Sequence, residues 1–461
     1  MRNSSRAWVT HGDGGAENRG FLSRRGRHGL RSHPRMPLGP KTHIAAAAAA
    51  WALVSIVSSG QAPVSPAALR NHPAIAYQTR TPDDPVARLD ARLARGDVAL
   101  TFDPQNGYLR SVLGQLQVPT ESQLLVYSKT SFQAPRISPS NPRALYFNDT
   151  VSVGWVRGGE VLEFASQDPA QGTTFYTLDQ RAGTAPRFTR QVICVQCHTW
   201  EATLDVPGTF VGSVVPATDG SVLYVPAYSI DHRTPFDLRW GGWFVTGAHA
   251  LPRHLGNALV SAGGTIEDAV MPSSVHVTSL EGRFDPAGYA GAHSDIVALL
   301  IIEHQARMLN LITRAGWEAR VGADAGRPLS AIVNELVDYL LFVDERPLPG
   351  AVEGPSPFAN VFAARGPRDS HGRSLRDLDL RTRLMRYPCS YLIYSAPFDA
   401  LPRAAKDAVY ARLWAVLSGA VRDARYERLT DAGRRAVVEI LRETKPDLPA
   451  YFGDGRPGSS G

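Results

Sequence analysis

The residues best suited to chemistry in this sequence lie in one five-residue stretch, Cys194-Val195-Gln196-Cys197-His198. Two thiols three positions apart, followed at once by an imidazole, form the Cys-x-x-Cys-His pattern, which is typical of covalent haem attachment. Each thiol can add to one vinyl group of the porphyrin, and the adjacent His then lies beneath the iron as its proximal ligand. With 3 Cys and 13 His in 461 residues, random placement would rarely produce this pattern. The sequence therefore predicts one covalently bound haem c, held by Cys194, Cys197 and His198.

Two other chemistries stay open for the same cysteines. A redox-active disulfide between Cys194 and Cys197 is one alternative, although the βαβ pattern that surrounds thioredoxin-like sites is missing here. Half of a zinc site is the other, and it would need His ligands at no recognisable spacing, because Cys389 is the only further thiol. We expect Cys389 to be a small buried apolar residue.

The motif makes this chain similar to c-type cytochromes. A wider stretch, from about residue 99 to 449, resembles a group of large exported bacterial single-haem proteins for which no reaction is known. That resemblance rests on five short segments, residues 147–150, 239–243, 255–257, 293–297 and 387–391. It implies export and haem attachment outside the cytoplasm, and it assigns no reaction. Only the haem-binding roles of Cys194, Cys197 and His198 carry over to this sequence.

Four side chains are candidates for the iron position opposite His198: His304, Met271, His254 and Met308. A second strong ligand, Met or His, favours electron transfer, whereas an open position lets oxygen, peroxide or a substrate reach the iron. Met271 is followed by Pro272, like the axial Met of small soluble cytochromes c, but it lies in β-type sequence. Its alternative role is that of an ordinary loop Met.

The His candidates come from a predicted helix and from a loop. His304 shares an apolar helix face with Met308, and its alternative role is that of a hydrogen-bonded core residue. His254 lies beside Arg253, whose planar guanidinium suits a haem propionate, and the alternative is a plain polar turn. Three Trp residues are expected to line either the haem or the core of the β-rich region: Trp200, Trp240 and Trp243.

Hydrophobic patterning divides the chain into a β-rich and a helical region. Short apolar runs between Gly, Pro, Asn and Asp predict strands at residues 124–127, 144–147, 151–156, 161–164, 174–178 and 243–246. Helical periodicity predicts helices at residues 294–313, 329–343, 375–385, 403–417 and 431–442. Ser294 is the expected N-cap of the first helix, and Thr430 or Asp431 that of the last. We predict an α+β fold, with a β-rich haem-bearing N-terminal half and a helical C-terminal half, and not the small all-helical cytochrome c fold.

The first 62 residues predict an export signal. Residues 44–58 form an uncharged apolar run, with Lys41 ahead of it and small residues behind it, which is typical of a Sec-type signal peptide and short for a membrane span. We predict a protein that is periplasmic or secreted, with no stable membrane span after signal cleavage. The expected divisions are an over-extended leader (1–35), the signal peptide (36–62), a linker (63–85), the β-rich region (86–292), the helical region (293–452) and a flexible tail (453–461).

Composition excludes several classes of protein. With 43% hydrophobic and 20% charged residues, the chain can build a sizeable core, unlike disordered or collagenous proteins. Residues 1–35 hold eight Arg and two acidic residues, and these account for the whole formal net charge of +6. The remainder therefore offers no electrostatic case for nucleic-acid binding.

The sequence predicts an electron carrier or redox subunit more readily than a stand-alone oxidoreductase. Its partner would be a redox protein or a small electron donor or acceptor. The alternatives are a haem enzyme of the peroxidase or oxidase type and a haem-based sensor, both of which need an open position on the iron.

Overall fold

The structure, a computed structural model, describes residues 65–183, 185–325 and 328–454. Three short helices open this part of the chain. They are α1 (Pro66–Asn71), α2 (Pro85–Arg95) and α3 (Leu109–Gln115). Each of the first two begins with Pro directly after a side-chain N-cap, Ser65 or Asp84, an arrangement that favours a helix start. The predicted leader and signal peptide lie outside the described residues.

The stretch predicted as a linker, residues 63–85, is packed from residue 65 onward. Leu69, Ile75 and Tyr77 are buried, and the Tyr77 hydroxyl donates to the Thr173 carbonyl at 2.7 Å. Its Pro, Thr and Asp residues therefore belong to caps and turns of a folded segment.

An antiparallel sheet of six strands forms the centre of the β-rich half, with the strands in chain order across the sheet. The strands are β1 (Leu124–Val126), β2 (Arg143–Phe147), β3 (Val151–Trp155), β4 (Val161–Asp168), β5 (Gly172–Asp179) and β6 (Phe188–Arg190). Short turns join β2 to β3, β3 to β4 and β4 to β5; between β2 and β3 the Asn148 side chain accepts the amides of Thr150 and Val151. Such Asx turns are what the Asn-Asp-Thr sequence favours.

Two smaller strand pairs follow the sheet. A hairpin pairs β7 (Val211–Pro216) with β8 (Val222–Ile230), with irregular register along its length. The short strand β9 (Ala248–His249) pairs with β10 (Val352–Glu353), which comes from the helical half. This second pair ties the two halves of the chain together.

Helices dominate the chain after residue 265. They are α4 (Ile266–Ala269), α5 (Pro272–Val275), α6 (Ile296–Val321), α7 (Leu329–Leu340), α8 (Phe358–Ala363), α9 (Ala396–Asp399), α10 (Arg403–Leu417), α11 (Asp431–Thr444) and α12 (Tyr451–Asp454). The predicted α+β class, with its β-rich N-terminal and helical C-terminal halves, is confirmed.

Helix α6 is the element on which both halves pack. It is long and apolar enough to cross a membrane by length and composition, but most of its surface is buried inside the protein. Its residues join β1, β7, α7 and α10 in one continuous core cluster. The apolarity of α6 is therefore that of a central core helix.

Three local predictions were wrong. The N-cap of α6 is Asp295, whose carboxylate accepts the amides of Val297 and Ala298, while the Ser294 hydroxyl accepts the Leu125 amide instead. Residues 375–385 form a turn, because the Asp379 carboxylate accepts the amides of the residues that follow it. Residues 243–246 make only isolated bridges and no strand.

Candidate functional site

The Cys-x-x-Cys-His motif lies directly after β6, on a short 3-10 helix (Val192–Gln196). The amides of Cys197 and His198 both donate to the Cys194 carbonyl, at 3.1 and 3.0 Å. Gln191 fixes the start of this turn to β5, because its amide donates to the Phe175 carbonyl at 2.8 Å. The edge of the sheet therefore determines where the motif begins.

A small hydrophobic cluster packs against the motif. Val195, between the two cysteines, is buried together with Phe175, Val206 and Trp317, and Cys194 packs partly against the same cluster. Trp317 belongs to α6, so the motif rests on a strand and on the central helix at once. Cys197 on the outer side is exposed.

His198 makes one hydrogen bond that fixes its tautomer. Its Nδ1 lies 2.9 Å from the Gly208 carbonyl, and because a carbonyl can only accept, Nδ1 carries the proton in the neutral ring. Its Nε2 has no hydrogen-bond partner among the described residues. Burial lowers the pKa of His198, and the charge of Arg143 lowers it further. At neutral pH the ring is therefore uncharged, with an unprotonated Nε2 that can ligate a metal.

Helix α6 holds the loop that supplies the Gly208 carbonyl. Asn310 donates its Nδ2 to the Thr209 carbonyl at 2.8 Å, and Arg314, one turn later, donates to the Leu204 carbonyl at 3.2 Å. The Asn310 side chain lies so close to Gly208 that a Cβ there would overlap it. We call residues 204–209 the anchor loop, because α6 fixes the acceptor for His198 through it.

An aromatic surface continues from His198 toward solvent. The His198 ring lies 4.8 Å from Phe175 and 5.6 Å from Phe210 between ring centroids. Trp200 in turn contacts Phe210 at 5.8 Å and Tyr228 at 5.5 Å. We call His198, Trp200, Phe210 and Tyr228 the aromatic face.

Apolar side chains at the edges of this region are exposed. Tyr228 is 64% exposed, and next to the first cysteine Val192 and Ile193 are 49% and 52% exposed. Further apolar residues of β8, Val222 to Tyr224, are also exposed. Exposed apolar side chains such as Val192, Ile193 and Tyr228 beside the motif and the aromatic face are typical of a surface that binds a partner or a ligand.

A charged pair lies across the sheet beside the motif. Arg143 on β2 and Glu163 on β4 form a salt bridge at 2.5 Å, and the guanidinium crosses β3 at Gly154, where a side chain would collide with it. Burial raises the pKa of Cys194, and Glu163 raises it further. Both motif cysteines are unbridged thiols.

The zinc alternative gains no support from the arrangement of side chains. Within the described ranges, one group of three potential ligands has its donor atoms all within 4.8 Å of one another: Asp369, His371 and Glu443. It lies away from the motif in sequence, and Arg373 already pairs with Asp369 at 2.6 Å. Cys389 is buried in the main core, as expected, where burial raises its pKa.

His304, a candidate sixth ligand, has both ring nitrogens occupied. Its Nδ1 lies 2.8 Å from Nδ1 of His232, and its Nε2 lies 2.8 Å from the Ser390 hydroxyl. Its ring stacks on Tyr339, and burial lowers its pKa to about 3. Met308, one turn further along α6, lies fully buried in the main core.

The other two candidates lie in the segment between the hairpin and α6. His254 is buried, with Nε2 3.1 Å from the Val275 carbonyl and Nδ1 accepting the Gly256 amide at 3.0 Å. Met271, at the start of α5, is 51% exposed. Arg253 faces Glu267 at 3.9 Å on the surface.

No hydrogen bond or ring contact joins these four candidates to His198 in the described part of the chain. The sixth ligand therefore stays a prediction. Of the three Trp residues, Trp200 belongs to the aromatic face, whereas Trp240 donates to the buried Glu303 and Trp243 to the Gly212 carbonyl.

Comparison with protein-family models, with curated proteins and with solved structures found no match to this chain.

Sequence reasoning missed the residues that surround the motif in space. Phe175 was predicted only as part of a strand, and Phe210 and Tyr228 come from a hairpin that was not assigned. Asn310 is more than a hundred residues from the motif. The available signal was the uninterrupted apolar run at residues 222–228, Val-Leu-Tyr-Val-Pro-Ala-Tyr.

Proposed function

We propose that this chain is an exported c-type cytochrome-like protein, which holds one haem covalently through Cys194 and Cys197 and uses it for electron transfer. The observation that carries the proposal is the state of His198. Its Nδ1 is committed to a backbone carbonyl, which is how a metal-ligating His is commonly oriented and made more basic. Its Nε2 is left unprotonated, and the motif's two Cys are free thiols.

The surroundings of the motif fit a haem c. Two unbridged thiols at the required spacing supply the attachment points, and a neutral imidazole supplies the axial ligand. The aromatic face and the exposed Val192 and Ile193 offer an apolar surface of the kind that a porphyrin ring covers. When bound, the haem supplies one-electron oxidation and reduction.

The chain's own residues would then position and tune the group. The anchor loop fixes the plane of the His198 ring through the Gly208 carbonyl, and α6 fixes the anchor loop. Arg143 pairs with Glu163, and its Nε, buried without a partner, would remain free to donate to a haem carboxylate. The electron partner is a redox protein or a small donor or acceptor, met in the periplasm or outside the cell.

The state of the candidate sixth ligands favours a second function, a haem enzyme or sensor that binds a small ligand. Among the described residues, His304 and His254 already have both ring nitrogens engaged, and Met308 is sealed in the core. Of the four candidates, Met271, which is 51% exposed, stays available, so the second function requires that Met271 does not ligate. An iron that keeps only His198 has an open position for oxygen, peroxide or carbon monoxide.

The test is an absorbance spectrum of the oxidised and dithionite-reduced protein, exported into the periplasm of a host with haem-maturation machinery. We expect a Soret band, which is lost in the Cys194→Ala/Cys197→Ala double variant and kept in Cys389→Ala. A low-spin reduced spectrum that carbon monoxide leaves unchanged supports the electron carrier. A high-spin spectrum that carbon monoxide shifts supports the second function, and a wild-type protein without a Soret band would overturn both.

A further inference from the structure

A cleft on the helical half is lined by arginines and lies in a different part of the chain from the motif. Its volume is about 770 Å³, which falls within the range of small-molecule sites. Its walls come from the segment after α7 (residues 342–347), the turn at residues 382–383 and residues 424–429 before α11. Five Arg line it, together with three acidic residues: Arg233, Arg346, Arg383, Arg425 and Arg428, with Asp344, Glu345 and Glu427.

The acidic residues neutralise some of these arginines. Arg425 pairs with Asp344 at 3.0 Å and also with Asp338 at 2.8 Å. Arg383 lies 3.4 Å from Glu345, but its Nε is buried and has no hydrogen-bond partner. Part of the Arg383 guanidinium is therefore left unsatisfied, which is costly for a charged group.

Arg346 and Arg428 have no carboxylate partner among the described residues. The Nε of Arg346 donates to the Arg233 carbonyl at 3.1 Å, and Arg428 donates to the Glu345 carbonyl at 2.7 Å. Both side chains are exposed, so beyond these backbone contacts their remaining N–H groups are accessible to a ligand from solvent. Neither guanidinium forms an ion pair within the described ranges, although Glu427 lines the same cleft, and burial raises the pKa of Glu345 while the charge of Arg428 lowers it.

The backbone of one wall is held in an unfavourable conformation. Phe342 and Asp344 both have positive φ, 55° and 63°. The first follows the end of α7, a position that usually takes Gly, and a bulky residue there is uncommon. Strain of this kind persists where the surroundings enforce it, and it is concentrated at ligand sites.

We propose that this cleft binds a small polyanion, which presents carboxylate or phosphate groups to Arg346, Arg428 and Arg383. A guanidinium matches both oxyanions through paired N–H donors, so the same site chemistry serves a polycarboxylate or a polyphosphate. The proposal does not depend on the haem, because none of the lining residues belongs to the motif, the anchor loop or the aromatic face.

The experiment is isothermal titration calorimetry of the full chain with citrate and, separately, with inorganic pyrophosphate. We expect saturable binding of at least one of them, weakened about tenfold or more by the Arg346→Gln/Arg428→Gln double variant, since each variant loses charge-assisted hydrogen bonds. Binding of citrate alone assigns a polycarboxylate, and binding of pyrophosphate alone assigns a polyphosphate.

A matched control is Arg403→Gln on α10, whose side chain is exposed and outside the cleft. We expect it to bind as the wild type does, and circular dichroism checks that each variant is folded. The absence of saturable binding of either anion at millimolar concentration would overturn the proposal. The proposal would also be overturned if the double variant bound the anion as strongly as Arg403→Gln does.

Discussion

Asn310 is one of the side chains, with Arg314, through which α6 holds the anchor loop. Its Nδ2 donates to the Thr209 carbonyl at 2.8 Å, one residue after the Gly208 carbonyl that accepts from His198. We predict that Asn310→Ala lowers the free energy of unfolding by about 1 to 2 kcal/mol, because it removes one hydrogen bond and leaves a small cavity beneath the loop.

If the proposed haem is attached at the motif, the same substitution should raise its reduction potential. A hydrogen-bonded imidazole is more basic and donates better to the metal, so a looser anchor loop stabilises the oxidised iron less. A hydrogen bond worth about 1 kcal/mol corresponds to about 40 mV for one electron if all of its strength depends on the oxidation state. We therefore expect a rise of up to about 40 mV.

The assay is a spectroelectrochemical titration of the wild type, Asn310→Ala and the control Gln305→Ala. Gln305 lies on the same helix, is also buried, and donates to the Asn148 carbonyl at 2.7 Å. Its Oε1 also accepts from the Tyr391 hydroxyl at 2.8 Å, so the control loses two buried hydrogen bonds without touching the anchor loop. We expect it to lose at least as much stability as Asn310→Ala, with an unchanged potential. An unchanged potential in Asn310→Ala, or an equal shift in both variants, would refute the reasoning.

Three further predictions concern the core and the anchor loop. Glu303→Leu leaves Arg239 buried without its carboxylate partner, so we expect the free energy of unfolding to fall by about 3 to 5 kcal/mol. The double variant Glu303→Leu/Arg239→Met should lose less, because no unpaired charge stays buried. Urea unfolding in which the two single losses simply add would contradict this. Burial lowers the pKa of His254 from 6.5 to about 3. Between these pH values only the unfolded chain binds a proton at His254, so the free energy of unfolding decreases as the pH is lowered. His254→Gln should make that slope shallower by about 1 kcal/mol per pH unit on average between pH 7 and 5, approaching about 1.4 at the acidic end. An unchanged slope in unfolding curves over this range would count against a neutral buried His254. Gly208→Ala introduces a Cβ that overlaps Asn310, so we expect a cost of about 1 to 3 kcal/mol in thermal unfolding; wild-type stability would show that the loop is not closely held.

Local patterns predicted the regular elements well where burial and periodicity agree. The strands from β1 to β5 alternate or run apolar between turn residues, and each was predicted within a few residues. Helix α6 was predicted from its apolar face, although it extends to Val321 rather than to residue 313. Residues 375–385 carry a helix-like pattern, but Asp379 captures the amides that a helix would need.

The surroundings of the motif could not be read from local sequence. The motif itself is a five-residue signal, but the contacts of His198 with Gly208 and Phe210 depend on the fold of the anchor loop, which Asn310 of the distant helix α6 holds. The hairpin of β7 and β8 was missed because its outer face is apolar and exposed, which hides the alternation that marks a half-buried strand. His304 shows the reverse case, since an apolar helix face alone does not tell a ligand from a core His that bonds to Ser390.

The most direct test of covalent haem binding is the mass of the exported full chain, measured under denaturing conditions. We predict that the wild type and Cys389→Ala carry the added mass of one haem after signal removal, and that the Cys194→Ala/Cys197→Ala double variant does not. A wild-type chain without the added mass would contradict the account, and it would return these two thiols to a disulfide or a metal site.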